Sequence, residues 1–409
     1  MLSKKLGIVF ALSPILGIYM VGIPVLSLSQ ILLLGISLLC LITQRKHIKV
    51  YFASFMSYAV VISVIRLTES WVIFNDGLHD ILSLLLFFFI LFTTVTYADY
   101  DTFKRTIINL GIISLSVLII QYLLSLLGIR FSGIIPFLPL SNEVPTSEFI
   151  AQQLGRDRLS GLFQEPAHYS EFMIIILAYV LFSREQSIKS IVLAVAISAT
   201  ILLTGSATGL AMIGVVWIFW AFVYYLQYSK HKVLYLVLMS MFFALIIVIL
   251  ARSDVIMSMV ARFGELSGDA GSEHGRSSYI RVIRGYIPFM ECDLNYKILG
   301  NGLGNLLGYI NSHPETNFLL LSDFNPRWIN GVQYLLFTTG LFGAILYLWQ
   351  ILRLYFRTTA LGKVLIICLI LMFLSSDSFF SVGLLLYIVI KESINTKKQQ
   401  YDFYNSSSI

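Results

Sequence analysis

Long apolar runs dominate this chain and leave it few ways to fold. They occupy roughly 6–23, 25–43, 50–68, 78–97, 106–128, 169–183, 190–204, 208–226, 233–251, 331–352 and 363–390. Most approach the about 20 residues that a helix needs to cross about 30 Å of hydrocarbon. Soluble domains carry about 25% charged residues, whereas here 12% are charged and 57% hydrophobic, with a mean hydropathy of +0.84. A charge at the bilayer centre costs on the order of 3 kcal/mol, so this shortage is what a lipid-facing surface demands. The fold class expected is an all-α integral membrane protein, with one polytopic domain over 1–398 and a polar cytoplasmic tail over 399–409.

Basic residues set the orientation. With Lys4 and Lys5 inside and sides alternating, the inner connections are 45–49, 104–105, 184–189, 230–232 and 353–363. All are short and basic, as cytoplasmic loops should be. Two long polar stretches, about 128–168 and 252–330, then fall outside. Read as one helix, 363–390 would put Lys391, Lys397 and Lys398 outside; read as a hairpin with its tip at Ser375–Ser378, it returns them inside. The hairpin gives about twelve transmembrane helices. The expected location is a bacterial cytoplasmic membrane, with the functional face outward.

The first apolar run lacks a small-residue cleavage pattern and reads as a retained helix. Cys40 and Cys368 lie in apolar runs and Cys292 alone in a loop, a spacing that suits neither a disulfide framework nor a zinc site. Neither a metal nor a cofactor is expected, nor any nucleic-acid partner.

Sorted by this topology, the outer cations are Arg66, Arg130, Arg156, Arg158, Arg252, Arg262, Arg276, Arg281, Arg284, Lys297 and Arg327, all Arg but one. Lysine suffices to meet anionic lipid, whereas a guanidinium grips phosphate or carboxylate with two parallel hydrogen bonds. The bias suggests a large anionic ligand at the outer face. Pairing with outer acids such as Glu265 or Asp323 is the alternative.

Two clusters could carry chemistry. In 156–168, Arg156 and Arg158 precede Gly161, Glu165, Pro166 and His168. Proline favours the first helical turn, which places the Glu165 carboxylate at a helix start, where the dipole stabilises it. Glu165 either caps that helix or assists a hydroxyl, with His168 one turn on as a second candidate. In 276–287, Ile280, Ile283 and Ile287 form an apolar stripe, and Arg281 and Arg284 share another face of an amphipathic helix, with Arg276 just before it; that face either aims guanidiniums at a ligand or is a solvated charged face. Gly300, Gly302 and Gly304 form a turn that permits close backbone approach but lacks the strand–helix setting of a dinucleotide site. The Thr204–Gly209 break between apolar runs reads as a turn.

In this order the pieces resemble the O-antigen polymerase and ligase superfamily, the Wzy and WaaL type of GT-C glycosyltransferases. The resemblance covers 156–345: Arg158, Gly161, Glu165 and Pro166; the Thr204-Gly205-Ser206 turn; the arginine-rich loop; Gly300, Gly302 and Gly304; then Asn330 followed by Gly340 and Gly343. Ala207 stands where the family often has Arg, and Ile329 where ligases carry His. The resemblance implies a polymerase of polysaccharide repeat units that moves a growing glycan from undecaprenyl pyrophosphate to the acceptor sugar of a lipid-linked repeat. It implies inversion at the anomeric carbon without a metal. Arg158, Arg281, Arg284 and Arg276 would hold the pyrophosphate, Glu165 or His168 would assist the acceptor, and Arg156, Gly302 and Asn330 would line the site. A Wzz-type co-polymerase is the partner implied. A ligase, or a flippase of the same lipid-linked oligosaccharide, is the alternative; transporters favour repeated halves and midplane charges, which are not evident here.

Overall fold

The computed structural model describes residues 1–20, 26–140, 146–155, 159–182, 187–226, 284–313, 329–375 and 379–406. Every apolar run named above is occupied by helix except 233–251, which lies outside the described residues. In chain order the helices are α1 (Leu2–Leu16), α2 (Leu28–Gln44), α3 (Ala53–Arg66), α4 (Phe74–Tyr97), α5 (Tyr100–Leu126), α6 (Thr146–Gly155), α7 (Pro166–Leu181), α8 (Ile188–Leu203) and α9 (Ala207–Ala221). A π turn, Phe222–Leu226, extends α9. After a 3-10 turn at Arg284–Tyr286 come α10 (Ile287–Glu291), α11 (Leu294–Leu299), α12 (Leu306–Ser312), α13 (Gly331–Tyr355), α14 (Ala360–Ser375) and α15 (Phe379–Ser406). The described residues contain no strand, only isolated bridges of Tyr19 with Leu140 and Met20 with Ser27.

Of the about twelve spans expected, four among the described residues stand on length and apolarity alone: α4, α5, Ala207–Tyr224 and α13. The shorter apolar helices include α2, α3, α7, α8 and Ala360–Leu374 of α14. Burial explains the clearest case. Every residue of α7 from Tyr169 to Leu181 is buried, because the helix is apolar on all sides and packs against α5, α8, α9, α14 and α15. A helix sheathed by others does not face lipid, so its about 24 Å length need not match the hydrocarbon. The last apolar stretch divides into α14 and α15, as the basic residues require, and α15 runs on past 398, where the tail was expected to begin.

The two ends of the bundle differ in kind. At one end hydrogen bonds tie the basic segments together. Asp99 N donates to Ser3 O (3.1 Å), Tyr97 Oη to Lys46 O (3.0 Å) and Tyr100 Oη to Glu392 Oε1 (2.7 Å). At the other end the long connections fold back on helix termini: Ile135 N donates to Tyr19 Oη (2.9 Å) and Leu303 N to Ser63 Oγ (2.9 Å). These are called below the basic end and the loop end.

At the loop end α13 is broken. Gly340 adopts φ 65° and ψ −175° inside the helix, which interrupts the hydrogen-bond ladder in a segment that would otherwise span. The freed carbonyls are used: Phe337 O accepts from Asn301 N (3.0 Å) and Thr338 O from Gly302 N (2.8 Å). The partner strand of chain turns through Gly300, Gly302 and Gly304, all at positive φ. A Cβ on Gly340 would collide with Ile298 O and Gly300 N. Backbone at membrane depth must find partners within the protein, and this interlock provides them.

Gly340→Ala should therefore lower the melting temperature in detergent sharply, combining the about 1–2 kcal/mol cost of a left-handed non-glycine residue with the collision. Gly35, in α2, has nothing within 4 Å of its would-be Cβ, so Gly35→Ala should be neutral or stabilise by up to about 1 kcal/mol. Equal melting of the two variants would contradict the interlock.

Candidate functional site

Three of the sequence motifs lie at the loop end. The first is the start of α7. Segment 159–164 is fastened by two glutamines: Gln121 of α5 donates to Gly161 O (3.2 Å) and accepts from Gly161 N (2.9 Å). Gln153 of α6 donates to Ser160 Oγ (2.6 Å), Phe163 O (3.1 Å) and Gln164 O (3.2 Å). Gly161 sits at φ +61°, where a Cβ would stand 2.9 Å from the Tyr169 ring. This explains a glycine four residues ahead of the Glu-Pro pair.

Glu165 is the N-cap of α7 with Pro166 at the first helical position, yet its side chain makes no capping hydrogen bond. Neither Glu165 nor His168 makes a side-chain hydrogen bond or ion pair among the described residues, and both are half-buried. One turn apart, they leave a carboxylate and an imidazole free at the loop end of the central helix. The capping alternative is thereby removed for Glu165. Three residues beyond His168, the sequence reading passed over Glu171, which is wholly buried in α7. An ionisable group inside an apolar helix was the available signal, since such a group is functional by default.

The second motif, Thr204–Gly209, packs against the same helix. Ser170 Oγ lies 3.2 Å from Thr204 Oγ1, and Tyr169 Oη donates to Thr200 Oγ1 (2.9 Å). Ser206 caps α9, accepting from Gly209 N (3.2 Å). The motif is a turn, as expected.

The third is the loop between Arg284 and Asn330. Asn330 forms a capping box with Gln333: Oδ1 accepts from Gln333 N (2.9 Å) and Gln333 Oε1 from Asn330 N (3.0 Å). The backbone at Gly285 lies on this cap, so close that a Cβ there would strike Gln333. Arg284 and Asn330, far apart in sequence, are thus brought together at the backbone. The Arg284 side chain lies outside the described residues, as do Arg156, Arg158, Arg276 and Arg281. Gly302, at φ +82°, is buried in the interlock with α13.

An aromatic cluster supports this loop. Trp71 meets Tyr309 edge-on at 5.2 Å, Tyr309 stacks on His313 at 4.1 Å, and Tyr296 lies 5.9 Å from Tyr309. His313, the loop histidine nearest Asn330 in sequence, also contacts Tyr309 O and Ser312 Oγ through Nδ1. Cys292 is buried beside Asn301, and burial pushes its thiol pKa up. All three cysteines are free.

Two of the arginines counted among the outer cations are held by the protein itself. Arg66 is 6% exposed; it lies over the Tyr296 ring (4.3 Å), donates to Gly300 O (3.1 Å) and pairs with Glu69 (3.1 Å). Arg130 donates to Leu154 O near the end of α6. For these two, loop-end arginine means anchoring of backbone and acid, the alternative left open by the sequence.

The class these features define is an all-helical membrane protein, with Glu165 and His168 half-buried at one end of a buried helix. The family model described as WcaD colanic acid polymerase matches residues 9–393, and the chain belongs to that family, a Wzy-type polymerase family. No curated protein matches the chain.

Gln121→Leu removes both partners of the buried Gly161 peptide at about 1–3 kcal/mol per orphaned group, so its melting temperature and activity should fall together. Glu165→Gln should leave melting unchanged while activity falls. If Glu165→Gln melts as early as Gln121→Leu, Glu165 is structural.

Proposed function

We propose that the protein extends a polysaccharide by moving the growing glycan from undecaprenyl pyrophosphate to the acceptor sugar of a lipid-linked repeat unit. The observation that carries this reading is the polymerase-family match over residues 9–393. The free Glu165 and His168 at the loop end of α7 support it. With the basic end in the cytoplasm, the loop end faces outward from a bacterial cytoplasmic membrane, where the flipped lipid-linked repeat is available.

The reaction breaks the bond between the anomeric carbon and the pyrophosphate oxygen. An acceptor hydroxyl attacks from the opposite side, so the centre inverts, and undecaprenyl pyrophosphate leaves with the bonding pair. Charge develops on the departing pyrophosphate, and fixed cations aimed at it lower the barrier. Arg158, Arg276, Arg281 and Arg284 take that role, with Arg156 beside them. Because guanidinium supplies the positive charge, no metal is needed and a chelator should not inhibit. Glu165, aided by His168, takes the proton of the attacking hydroxyl. Gly302 and Asn330 line the site through the shape they impose on its backbone. The product is an acceptor lengthened by the donor glycan, and a Wzz-type co-polymerase would set the final length.

Deletion of the gene, with complementation by wild type or Arg284→Lys, tests this reading through the gel pattern of surface glycan. Arg→Lys keeps the charge and removes the bidentate fork. Deletion should leave at most single-repeat material, and Arg284→Lys should restore under about one tenth of the ladder, a loss matching roughly 1.4 kcal/mol or more. Long glycan stranded on its carrier would point to a ligase instead. Repeat units trapped on the cytoplasmic side would point to a flippase.

A further inference from the structure

A cavity of about 430 Å³ with a mixed polar and apolar lining opens at the basic end, between the start of α5, the end of α7, the π turn after α9, the start of α14 and α15. The transfer site does not account for it. Tyr179 in its wall and Glu165 at the loop end sit on the same helix, fourteen residues apart, which is about 21 Å along the axis. The volume falls within the about 300–1,000 Å³ of small-molecule sites.

One wall is a prebuilt hydrogen-bond chain. Tyr100 Oη donates to Glu392 Oε1 (2.7 Å), so the proton between the two tyrosines belongs to Tyr179, whose Oη lies 2.9 Å from that of Tyr100. Thr359 Oγ1 donates to the other carboxylate oxygen of Glu392 (2.8 Å). The chain fixes both rings and consumes the Glu392 charge. Apolar side chains would fill such a space at no desolvation cost, so a satisfied polar wall around a void points to a ligand.

Neighbouring groups on the same helices are left unused. Asp101 and Asn395 line the cavity and make no side-chain hydrogen bond or ion pair among the described residues; Lys104 only lies over the Tyr179 ring, at 5.6 Å. Asp101 and Lys104 are three apart on α5 and share a face. An acceptor, a cation and an amide over aromatic rings suit hydroxyls, each of which donates once and accepts once. With both Glu392 oxygens taken up by Tyr100 and Thr359, Asp101 and Lys104 are left as one carboxylate against one ammonium, a balance that suits a neutral ligand. The π turn carrying Tyr224 forms part of the rim, and π turns concentrate at functional sites.

We propose that this cavity binds a neutral carbohydrate, a second sugar site on the opposite end of the bundle from the transfer site. With the basic end in the cytoplasm, its ligand comes from the intracellular sugar pool. The site therefore reads sugar supply on one face of a protein that polymerises sugars on the other.

Saturation-transfer NMR on the full-length protein in nanodiscs tests this, with free D-glucose, D-galactose and N-acetylglucosamine as probes and glucose 1-phosphate and spermidine as comparators. At least one neutral sugar should give saturable transfer, weakened about tenfold or more in Asp101→Asn, equivalent to roughly 1.4 kcal/mol, and unchanged in Arg284→Lys. Circular dichroism melting should match wild type for Asp101→Asn; if it does not, Asn395→Ala replaces it with the same expectation. Binding lost in Arg284→Lys but kept in Asp101→Asn would put the sugar at the transfer site and overturn the proposal. Binding of only the phosphate or only spermidine would overturn it too, as would the absence of any saturable sugar signal. None of these outcomes bears on the surface-glycan ladder, so the two readings fail separately.

Discussion

A backbone N–H or C=O without a partner at membrane depth costs several kcal/mol, and the loop end is organised around that constraint. Gly340 opens the ladder of α13, and the Phe337 and Thr338 carbonyls it frees are claimed by Asn301 N and Gly302 N. The claim works only because Gly300, Gly302 and Gly304 let the chain approach at positive φ. Arg66 then closes the arrangement by donating to Gly300 O while lying over Tyr296. One broken helix thus anchors the described parts of the connection between Arg284 and Asn330.

The second organising element is the total burial of α7. Surrounded by helices on every side, it carries Glu165 and His168 at one end and Tyr179 at the other. Rigid elements hold catalytic groups better than loops do, and the two glutamine clamps extend that rigidity through Gly161 to the start of the helix. Glu165 and His168 thereby stand at the clamped start of a helix that is buried along the rest of its length.

Much of this was legible in the sequence. Apolar length and the placement of Lys and Arg gave the helical membrane class, the hairpin between α14 and α15, and the division into unlike ends. The pairing of Glu165 with Pro166 located the start of α7. Span lengths were less legible, because a run such as 169–183 looks lipid-facing until the packing shows it is sheathed. Gln121 and Gln153 could not be read as clamps, since their partners are backbone groups of a distant segment. The role of Arg66, read only as an outer cation, was hidden for the same reason: the acceptor, Gly300 O, lies more than two hundred residues away in sequence. Glu171 was visible as a lone carboxylate in an apolar run, yet its weight comes from complete burial, which only the three-dimensional packing shows.

The central claim is that a lipid-linked glycan is moved with loss of its carrier pyrophosphate. Purified protein in nanodiscs, given only undecaprenyl-pyrophosphate-linked repeat units and a chelator, would be followed by 31P NMR alongside gel analysis of the glycan. The account predicts a ladder that grows as undecaprenyl pyrophosphate is released, one molecule for each new linkage. A ladder without released carrier, release without a ladder, or dependence on an added metal would contradict it.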